Sequence, residues 1–427
     1  MNGAPRVHRL TAGDFDELAA GRPTPMVLGT LRSSQLSRRL LTLHAIAALA
    51  RERMPDPWRE SGAERAWGLL AEVDRIDRPS LEHVLMHPPL GVLFSRCLRR
   101  LSGAAAGLGL KEDLSRLGEV AAAAALHAQL PCTLDLPAPG GLLTLPTWGV
   151  ARLPAGTRRA HVEGRVISAP GFAVEVTGGM VDPPPGVPGW LPLRRLSIAL
   201  SEPSAPRLHV ALEDGVPESG VPSRYVTGRL TQRQVAEREA SLRAAWGLLC
   251  AHLPERAAAC AALCKCIVPL APPAGRWVSA TSREAFGAIG LSSTDDPARL
   301  AEALMHEVSH VALGALDDMV DLCDPDCSSR YRVGWRPDPR PLGAVIHGTY
   351  AHLAALKFRE HHLAAATGAA AARSARRYGQ LRVQVLDALN LLDSCPGLTS
   401  LGRRFCAAMA AAVTPESLQA TPRNSNG

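Results

Sequence analysis

The chain has 427 residues, of which 46% are hydrophobic, so it is long enough for two or three domains and apolar enough to exclude an intrinsically disordered protein. Its formal net charge is +7, but basic and acidic residues are mixed, and no lysine- and arginine-rich block with interleaved aromatic residues indicates nucleic-acid binding. No apolar run of about 18 residues predicts a membrane span, and no signal peptide is recognisable at the start. We therefore expect a cytoplasmic protein whose ten cysteines are thiols.

Residues 1–130 are predicted to form a helical N-terminal region, because apolar residues recur at helical spacing between short Pro and Gly breaks. Residues 131–228 contain short alternating segments, which predict a β-rich middle region of about six or seven strands. Residues 229–415 return to helical periodicity, and residues 416–427 are predicted to be a loose tail. The predicted class is α+β, mainly helical, with a β-rich middle segment and a C-terminal helical metal-binding domain.

The C-terminal region contains a His-Glu-x-x-His motif at His306, Glu307 and His310. Asp296 is suited to cap a helix over residues 297–322. Four residues advance about 400° around such a helix, so the two imidazoles lie one turn apart on one face. They can then chelate a single transition metal with the glutamate beside it. The alternative interpretation is a solvated helix face that carries two histidines by chance.

The segments around this helix are predicted from their local patterns. Two short edge strands are expected at 275–282 and 287–293, directly before the motif helix. A polar loop at 324–338 follows the motif helix. Three further helices are then predicted at 342–361, 369–392 and 401–413.

A catalytic metal site needs a third protein ligand and open positions for substrate or water. No third histidine follows the motif at the short spacing of many zinc peptidases, so the ligand must come from the next long helix. Three residues there compete for this role: His347, His352 and Glu360. His347 and His352 are about 140° apart on an ideal helix, so both should not face one metal. Asp317 is predicted to orient an imidazole N–H or a neighbouring arginine.

Two arginines, Arg336 and Arg340, lie next to prolines in the segment between the two helices. Rigidly held guanidinium groups are suited to bidentate capture of a carboxylate. A carboxylate-bearing cosubstrate beside a metal indicates 2-oxoglutarate on iron(II), where two histidines and one further ligand leave positions open. The alternative is that the arginines only fold their own loop, with Arg336 paired to Asp338 and Arg340 paired to Asp324 or Asp326.

Several segments together carry a resemblance to a known family. They are the motif itself, Asp317-Asp318, Trp-Arg-Pro-Asp-Pro-Arg-Pro-Leu at 335–342 and Tyr-Ala-His at 350–352. The chain resembles the bacterial His-Glu-x-x-His peptide-modification proteins, which are described as 2-oxoglutarate-dependent peptide β-hydroxylases and associated with ribosomally synthesised, post-translationally modified peptides. The likeness extends to residues 8–21 and 33–39, and it is specific from about 300 to 360.

The resemblance implies an iron(II)- and 2-oxoglutarate-dependent hydroxylase that acts on a β-carbon of a ribosomally synthesised precursor peptide. His347 stands where many relatives carry Gln, which favours His352 as the third ligand. The N-terminal helices and the β-rich middle region are expected to form the peptide groove. In the implied site the metal is held by His306, His310 and His352. Arg340 binds the distal carboxylate of 2-oxoglutarate, and Arg336 is the second candidate for that role. Glu307 sets the orientation of the ligands or provides a proton path.

Two other functions remain open from the sequence. In a zinc-dependent peptidase, Glu307 would be the general base that takes a proton from zinc-bound water, and Glu360 or a histidine would be the third ligand. A catalytically inactive module would keep the fold only to bind a leader peptide. The intact motif and the arginine-containing segment argue against the inactive module.

Overall fold

The computed structural model describes residues 7–103, 109–178, 182–184, 186–215, 220–221 and 225–413. Helices make up 55% and strands 17%, and the strands form several small sheets, which confirms the predicted α+β class. The predicted tail at 416–427 lies outside the described residues. None of the helices in these ranges combines the length and the apolar character needed to cross a membrane.

The N-terminal region is helical, as predicted. Threonine side chains cap α1 and α2 by accepting hydrogen bonds from backbone N–H groups, and a proline occupies the first turn of α2, α3, α5 and α6. The helices are α1 (Ala12–Ala19), α2 (Pro25–Arg53), α3 (Pro55–Glu60), α4 (Ala63–Ile76), α5 (Arg78–Leu85), α6 (Pro88–Leu101), α7 (Leu110–Ser115) and α8 (Leu117–His127).

The described part of the middle region contains nine strands, more than the sequence predicted, because several hairpins have strands of only four or five residues. The strands are β1 (Thr133–Pro137), β2 (Leu142–Leu145), β3 (Gly149–Arg152), β4 (Arg159–Glu163), β5 (Val166–Ala169), β6 (Phe172–Glu175), β7 (Gly189–Pro192), β8 (Arg194–Ile198) and β9 (Leu208–Leu212). Two antiparallel sheets have the orders β1-β4-β5-β6 and β2-β3-β7.

The C-terminal region combines helices with a mixed sheet. Its elements are α9 (Gln232–His252), α10 (Pro254–Leu263), β10 (Cys266–Leu270), β11 (Ser279–Thr281), β12 (Ala288–Ser292), α11 (Pro297–Leu316), β13 (Arg330–Val333), β14 (Arg336–Pro341), α12 (Leu342–Ala365), α13 (Gly368–Asp393) and α14 (Ser400–Val413). The sheet order is β11-β12-β10-β9-β8, with β12, β10 and β9 parallel. The sheet therefore includes two strands from the predicted middle region, and β11 forms one of its edges.

Two large hydrophobic cores organise the described residues, and they do not follow the predicted boundaries at 130 and 228. One core joins the second half of α2 to α3–α8 and the two antiparallel sheets. The other joins α1 and the first half of α2 to β8, β9 and the C-terminal helices. Leu31 and Leu43, both fully buried on α2, belong to different cores. A single long helix thus crosses from one core to the other.

The first helix is fastened to the C-terminal region. The hydroxyl of Tyr350 on α12 donates a hydrogen bond of 2.6 Å to the carbonyl of Leu18. Phe15 and Phe405 make an edge contact with ring centroids 5.8 Å apart, and Arg404 pairs with Asp16. The start of the chain therefore packs against α12, the helix that carries the candidate third ligand.

Candidate metal centre

The motif helix α11 begins where the sequence predicted and ends earlier. The Oδ1 atom of Asp296 accepts hydrogen bonds from the backbone N–H groups of Ala298 and Arg299, at 3.0 and 3.1 Å. The helix ends at Leu316, six residues before the predicted end at 322. The next two side chains, Asp317 and Asp318, bind His347 and Arg283.

His306 and His310 lie side by side, with 3.3 Å between their Nε2 atoms. Two ligands on a tetrahedral metal at about 2.0–2.1 Å stand about 3.3–3.4 Å apart, so this spacing fits one metal ion. Burial, together with the neighbouring imidazoles of His347 and His352, lowers the pKa of His310 to about 3. Burial and adjacent imidazoles also lower the pKa of His306 well below its ordinary value. Both rings are therefore neutral, the form that binds metal.

His352 is next to this pair. Its ring centroid lies 5.0 Å from that of His306. Its Nδ1 atom lies 2.7 Å from the carbonyl oxygen of Gly348, and because a carbonyl only accepts, Nδ1 carries the proton and Nε2 keeps its lone pair. Burial lowers the pKa of this imidazole to about 4. His352 thus has the tautomer of a ligand that binds through Nε2.

His347 lies behind His310. Its Nε2 atom is 2.7 Å from Oδ2 of Asp317, and its Nδ1 atom is 3.4 Å from Nδ1 of His310. The planes of the two rings are nearly parallel, and their centroids are 5.7 Å apart. This distance is close to the Nδ1–Nδ1 distance plus the radius of each ring, as expected when the two Nδ1 atoms lie on the line between the centroids and point at each other. The carboxylate accepts a hydrogen bond from His347 Nε2–H, so His347 Nδ1 has a lone pair and accepts from His310 Nδ1–H. The predicted orienting role of Asp317 is thus exerted through His347.

Glu360, the remaining candidate for third ligand, is engaged elsewhere. It binds the ammonium group of Lys357 at 2.9 Å, and it does not line the cavities that contain the motif histidines. Among the residues that the structure describes, no group of three His, Cys, Asp or Glu side chains is arranged to hold a metal ion as it stands. The structure presents a pair of imidazoles at ligand spacing with His352 adjacent, and the triad itself is a proposal.

Glu307 is buried beneath the pair and linked to the edge strand. The hydroxyl of Ser279 on β11 donates a hydrogen bond of 2.6 Å to Oε1 of Glu307. Burial raises the pKa of Glu307 to about 7, although hydrogen bonds from Ser279 and Thr281 oppose the shift. A strand was predicted before the motif helix, but no local pattern predicted that its hydroxyl groups bind the glutamate.

The predicted polar loop is in part a β-hairpin of β13 and β14, in which Tyr331 pairs with Arg340 and Val333 with Arg336. Neither predicted alternative pairing of the arginines occurs. Arg340 instead donates to Asp338 at 3.1 Å, in a pair that is partly exposed to solvent and so contributes little stability. Both arginines line one cavity of about 540 Å³ together with the motif residues. The hairpin therefore does bring two cations to the candidate site.

Trp335, at the hairpin turn, fixes His352. Its ring stacks on that imidazole with centroids 4.4 Å apart and an angle of 23° between planes. The close approach depends on Gly348, since a Cβ atom there would lie 2.6 Å from the indole ring. The signal was present in the sequence as a glycine one turn before His352, but only the packing shows its purpose.

Comparison with known proteins adds no relative to this description. No protein-family model matches the chain, and no curated protein matches it at a significant level. The residues of the site therefore carry the functional argument.

Proposed function

We propose that this protein is an iron(II)- and 2-oxoglutarate-dependent hydroxylase that modifies a β-carbon of a ribosomally synthesised precursor peptide. The observation that carries the proposal is one cavity that holds both the neutral pair His306 and His310, at 3.3 Å, and the guanidinium groups of Arg336 and Arg340. A keto acid that chelates a metal at one end and presents a carboxylate at the other needs both features.

Under this proposal His306, His310 and His352 hold the iron. Bound iron(II) supplies the redox chemistry in which 2-oxoglutarate, O₂ and a C–H bond yield succinate, CO₂ and a C–OH group. His347 and Asp317 orient the ring of His310, so that its Nε2 lone pair points into the cavity. This role excludes His347 from the ligand set.

The arginines are proposed to bind the distal carboxylate of 2-oxoglutarate. Arg340 is the first choice, because a ligand carboxylate can replace its solvent-exposed partner Asp338 at little cost. Arg336 is exposed, and no ion pair within contact distance is found for it among the described residues, although its charge helps Arg340 to lower the pKa of Asp338. Glu307 binds Ser279 and so fixes the motif helix against β11.

A second candidate function is a zinc-dependent peptidase. Glu307 lines the same cavity as the motif histidines, and its pKa near 7 suits a general base that takes a proton from metal-bound water. The position of Glu360 outside the cavity leaves His352 as the third ligand for zinc as well.

Turnover of 2-oxoglutarate separates the two functions. The purified chain, loaded with iron(II) in air, is expected to form succinate from 2-oxoglutarate even without peptide, and the zinc-loaded chain is expected to leave a quenched fluorescent peptide library intact. Absence of succinate together with cleavage by the zinc form would overturn the hydroxylase proposal. Intact-mass measurement of a co-expressed candidate precursor gives an independent result, either the gain of one oxygen or the loss of a fragment.

Variants of the hairpin test the role of the arginines. Arg340→Ala is expected to raise the KM for 2-oxoglutarate about tenfold or more, since one charge-assisted bidentate contact is lost. Arg332→Ala is the matched control, because Arg332 is an exposed arginine of the same hairpin that does not line the cavity. Equal KM values for the two variants would contradict the assignment.

A further inference from the structure

A second cavity, of about 710 Å³, adjoins the first one. Ser279, His306 and Arg336 line both cavities, so they form one groove that passes His306. The motif's second histidine, His310, faces the first cavity, and His352 faces the second. The proposed metal position therefore lies at the junction, and the second cavity still needs an occupant.

The second cavity is strongly basic. Five arginines and two acids line it, which leaves a formal excess of three positive charges. Both acids are already committed to the fold. Asp296 caps α11, and Glu302 accepts hydrogen bonds from Arg359 and Arg377 at 2.6–2.8 Å. Neither acid is available to neutralise the remaining arginines.

Three arginines of this cavity have no carboxylate partner among the described residues. Arg299 lies over the ring of Trp277, with 4.9 Å between its guanidinium carbon and the ring centroid. Arg373 on α13 and Arg336 on the hairpin are exposed at the wall, and the structure gives neither an ion pair. Cations held around a concave site raise the local concentration of anionic ligands.

A separate observation also indicates a ligand that accepts hydrogen bonds. The indole N–H of Trp277 is buried and has no acceptor within the described part of the chain. Buried N–H donors without a partner are rare, because each costs the desolvation of a polar group. Trp277 lines this cavity, so a ligand with a carboxylate or a peptide carbonyl would bring an acceptor next to the indole.

We propose that this cavity binds an acidic side chain of the substrate peptide, Asp or Glu, close to the residue that is presented to His306. The inference rests on the proposed function for the peptide nature of the substrate. Arg299 and Arg373 line only this cavity and not the one assigned to 2-oxoglutarate, which favours the peptide over 2-oxoglutarate as the occupant. The precursor region that enters the site is therefore expected to be acidic. Under this proposal residues of the C-terminal region form the groove, whereas the sequence analysis expected it from the N-terminal helices and the β-rich middle region.

Binding of synthetic peptides tests this proposal. Binding of three fluorescein-labelled peptides of equal length to the full-length chain is measured by fluorescence anisotropy. In the first peptide Gly alternates with Asp and Glu. In the second, Asn and Gln replace the acidic residues, and in the third, Lys replaces them. The acidic peptide is expected to bind at least tenfold more tightly than the amide peptide, with an affinity that falls as salt rises. Equal affinities for the acidic and amide peptides would overturn the proposal.

Two arginines of α13 form a matched pair. Arg373→Ala is expected to weaken binding of the acidic peptide at least fivefold. Arg376→Ala removes the same charge from an exposed position of the same helix outside the cavity, and it is expected to leave binding of the acidic peptide unchanged. Equal weakening by both would show a general charge effect and would overturn the subsite. Trp277→Phe, which keeps a ring but removes the N–H, is expected to weaken binding several-fold.

Competition distinguishes the two possible occupants. Because Arg336 lines both cavities, saturating 2-oxoglutarate is expected to weaken peptide binding only in part, and complete displacement of the acidic peptide would assign this cavity to the cosubstrate instead. Failure of the hydroxylase proposal is seen separately, because succinate formation without peptide does not require Arg299 or Arg373, which line only the second cavity. Thermal melting curves for each variant confirm that the fold is retained.

Discussion

Two arginine-rich regions of the molecule differ in whether their guanidinium groups are paired with carboxylates. In the first, Arg194 and Arg229 alternate with Asp182 and Asp214, and each arginine contacts both acids. Asp214 and Arg194 are almost entirely buried there. In the groove, Arg299, Arg336 and Arg373 line open cavities without carboxylate partners among the described residues. In a closed network each charge has its counter-charge within the fold, so loss of one member leaves another charge buried and unpaired, whereas unpaired cations around a cavity indicate a ligand.

The closed network predicts the largest effect on stability. Asp214→Ala leaves two largely buried guanidinium groups short of a counter-charge, so the free energy of unfolding is expected to fall by about 3–5 kcal/mol. Arg373→Ala, from the open groove, is expected to change it by less than about 0.5 kcal/mol. Urea denaturation of both variants measures the difference. Similar losses would show that the two regions are not distinct.

The second-largest effect is expected in metal binding, from substitution of the candidate ligands on α12. His352→Ala is expected to weaken metal binding by more than about 100-fold, beyond the usual effect of removing a partner outside the ligand set. Glu360→Ala is the control, since Glu360 binds Lys357 and does not line the groove. Competition with a chromophoric chelator measures the affinity for zinc or cobalt. Loss of binding in the Glu360 variant alone would reverse the assignment.

Substitution of His347 tests whether this residue is itself a metal ligand or only orients the ligand His310. His347→Ala is expected to weaken metal binding by about 10–100-fold, because His310 loses the acceptor that holds its tautomer. Asp317→Asn should act in the same direction, since the amide no longer fixes the proton on Nε2 of His347. Metal stoichiometry at saturation should stay at the wild-type value in both variants. A lower stoichiometry would make His347 a ligand.

The sequence predicted what depends on local spacing. The motif pair, the cap at Asp296 and the long helix after the hairpin all follow from patterns within a few residues, and the structure contains them. What it could not predict depends on tertiary packing. Helical spacing left His347 and His352 open and only the resemblance favoured His352, whereas the partners of each Nδ1 atom are seen only in the fold. The second cavity is assembled from segments about 100 residues apart. The division of α2 between two cores likewise has no local signature.

Gly348 gives the smallest effect and connects packing to the site. A Cβ atom at this position would enter the ring of Trp335, which stacks on His352. Gly348→Ala is therefore expected to destabilise the fold by about 1–2 kcal/mol through overpacking. It should also weaken metal binding, because the indole no longer holds the imidazole.

The matched control for this substitution is expected to change the free energy of unfolding in the opposite direction. Gly247 lies within α9, where a Cβ atom would meet no other atom within 4 Å, so Gly247→Ala is expected to stabilise the helix by about 0.5–1 kcal/mol and to leave metal affinity unchanged. Urea denaturation and metal titration of both variants give the comparison. Stabilisation by both alanines would mean that Trp335 moves freely, and the argument that it fixes His352 would then fail.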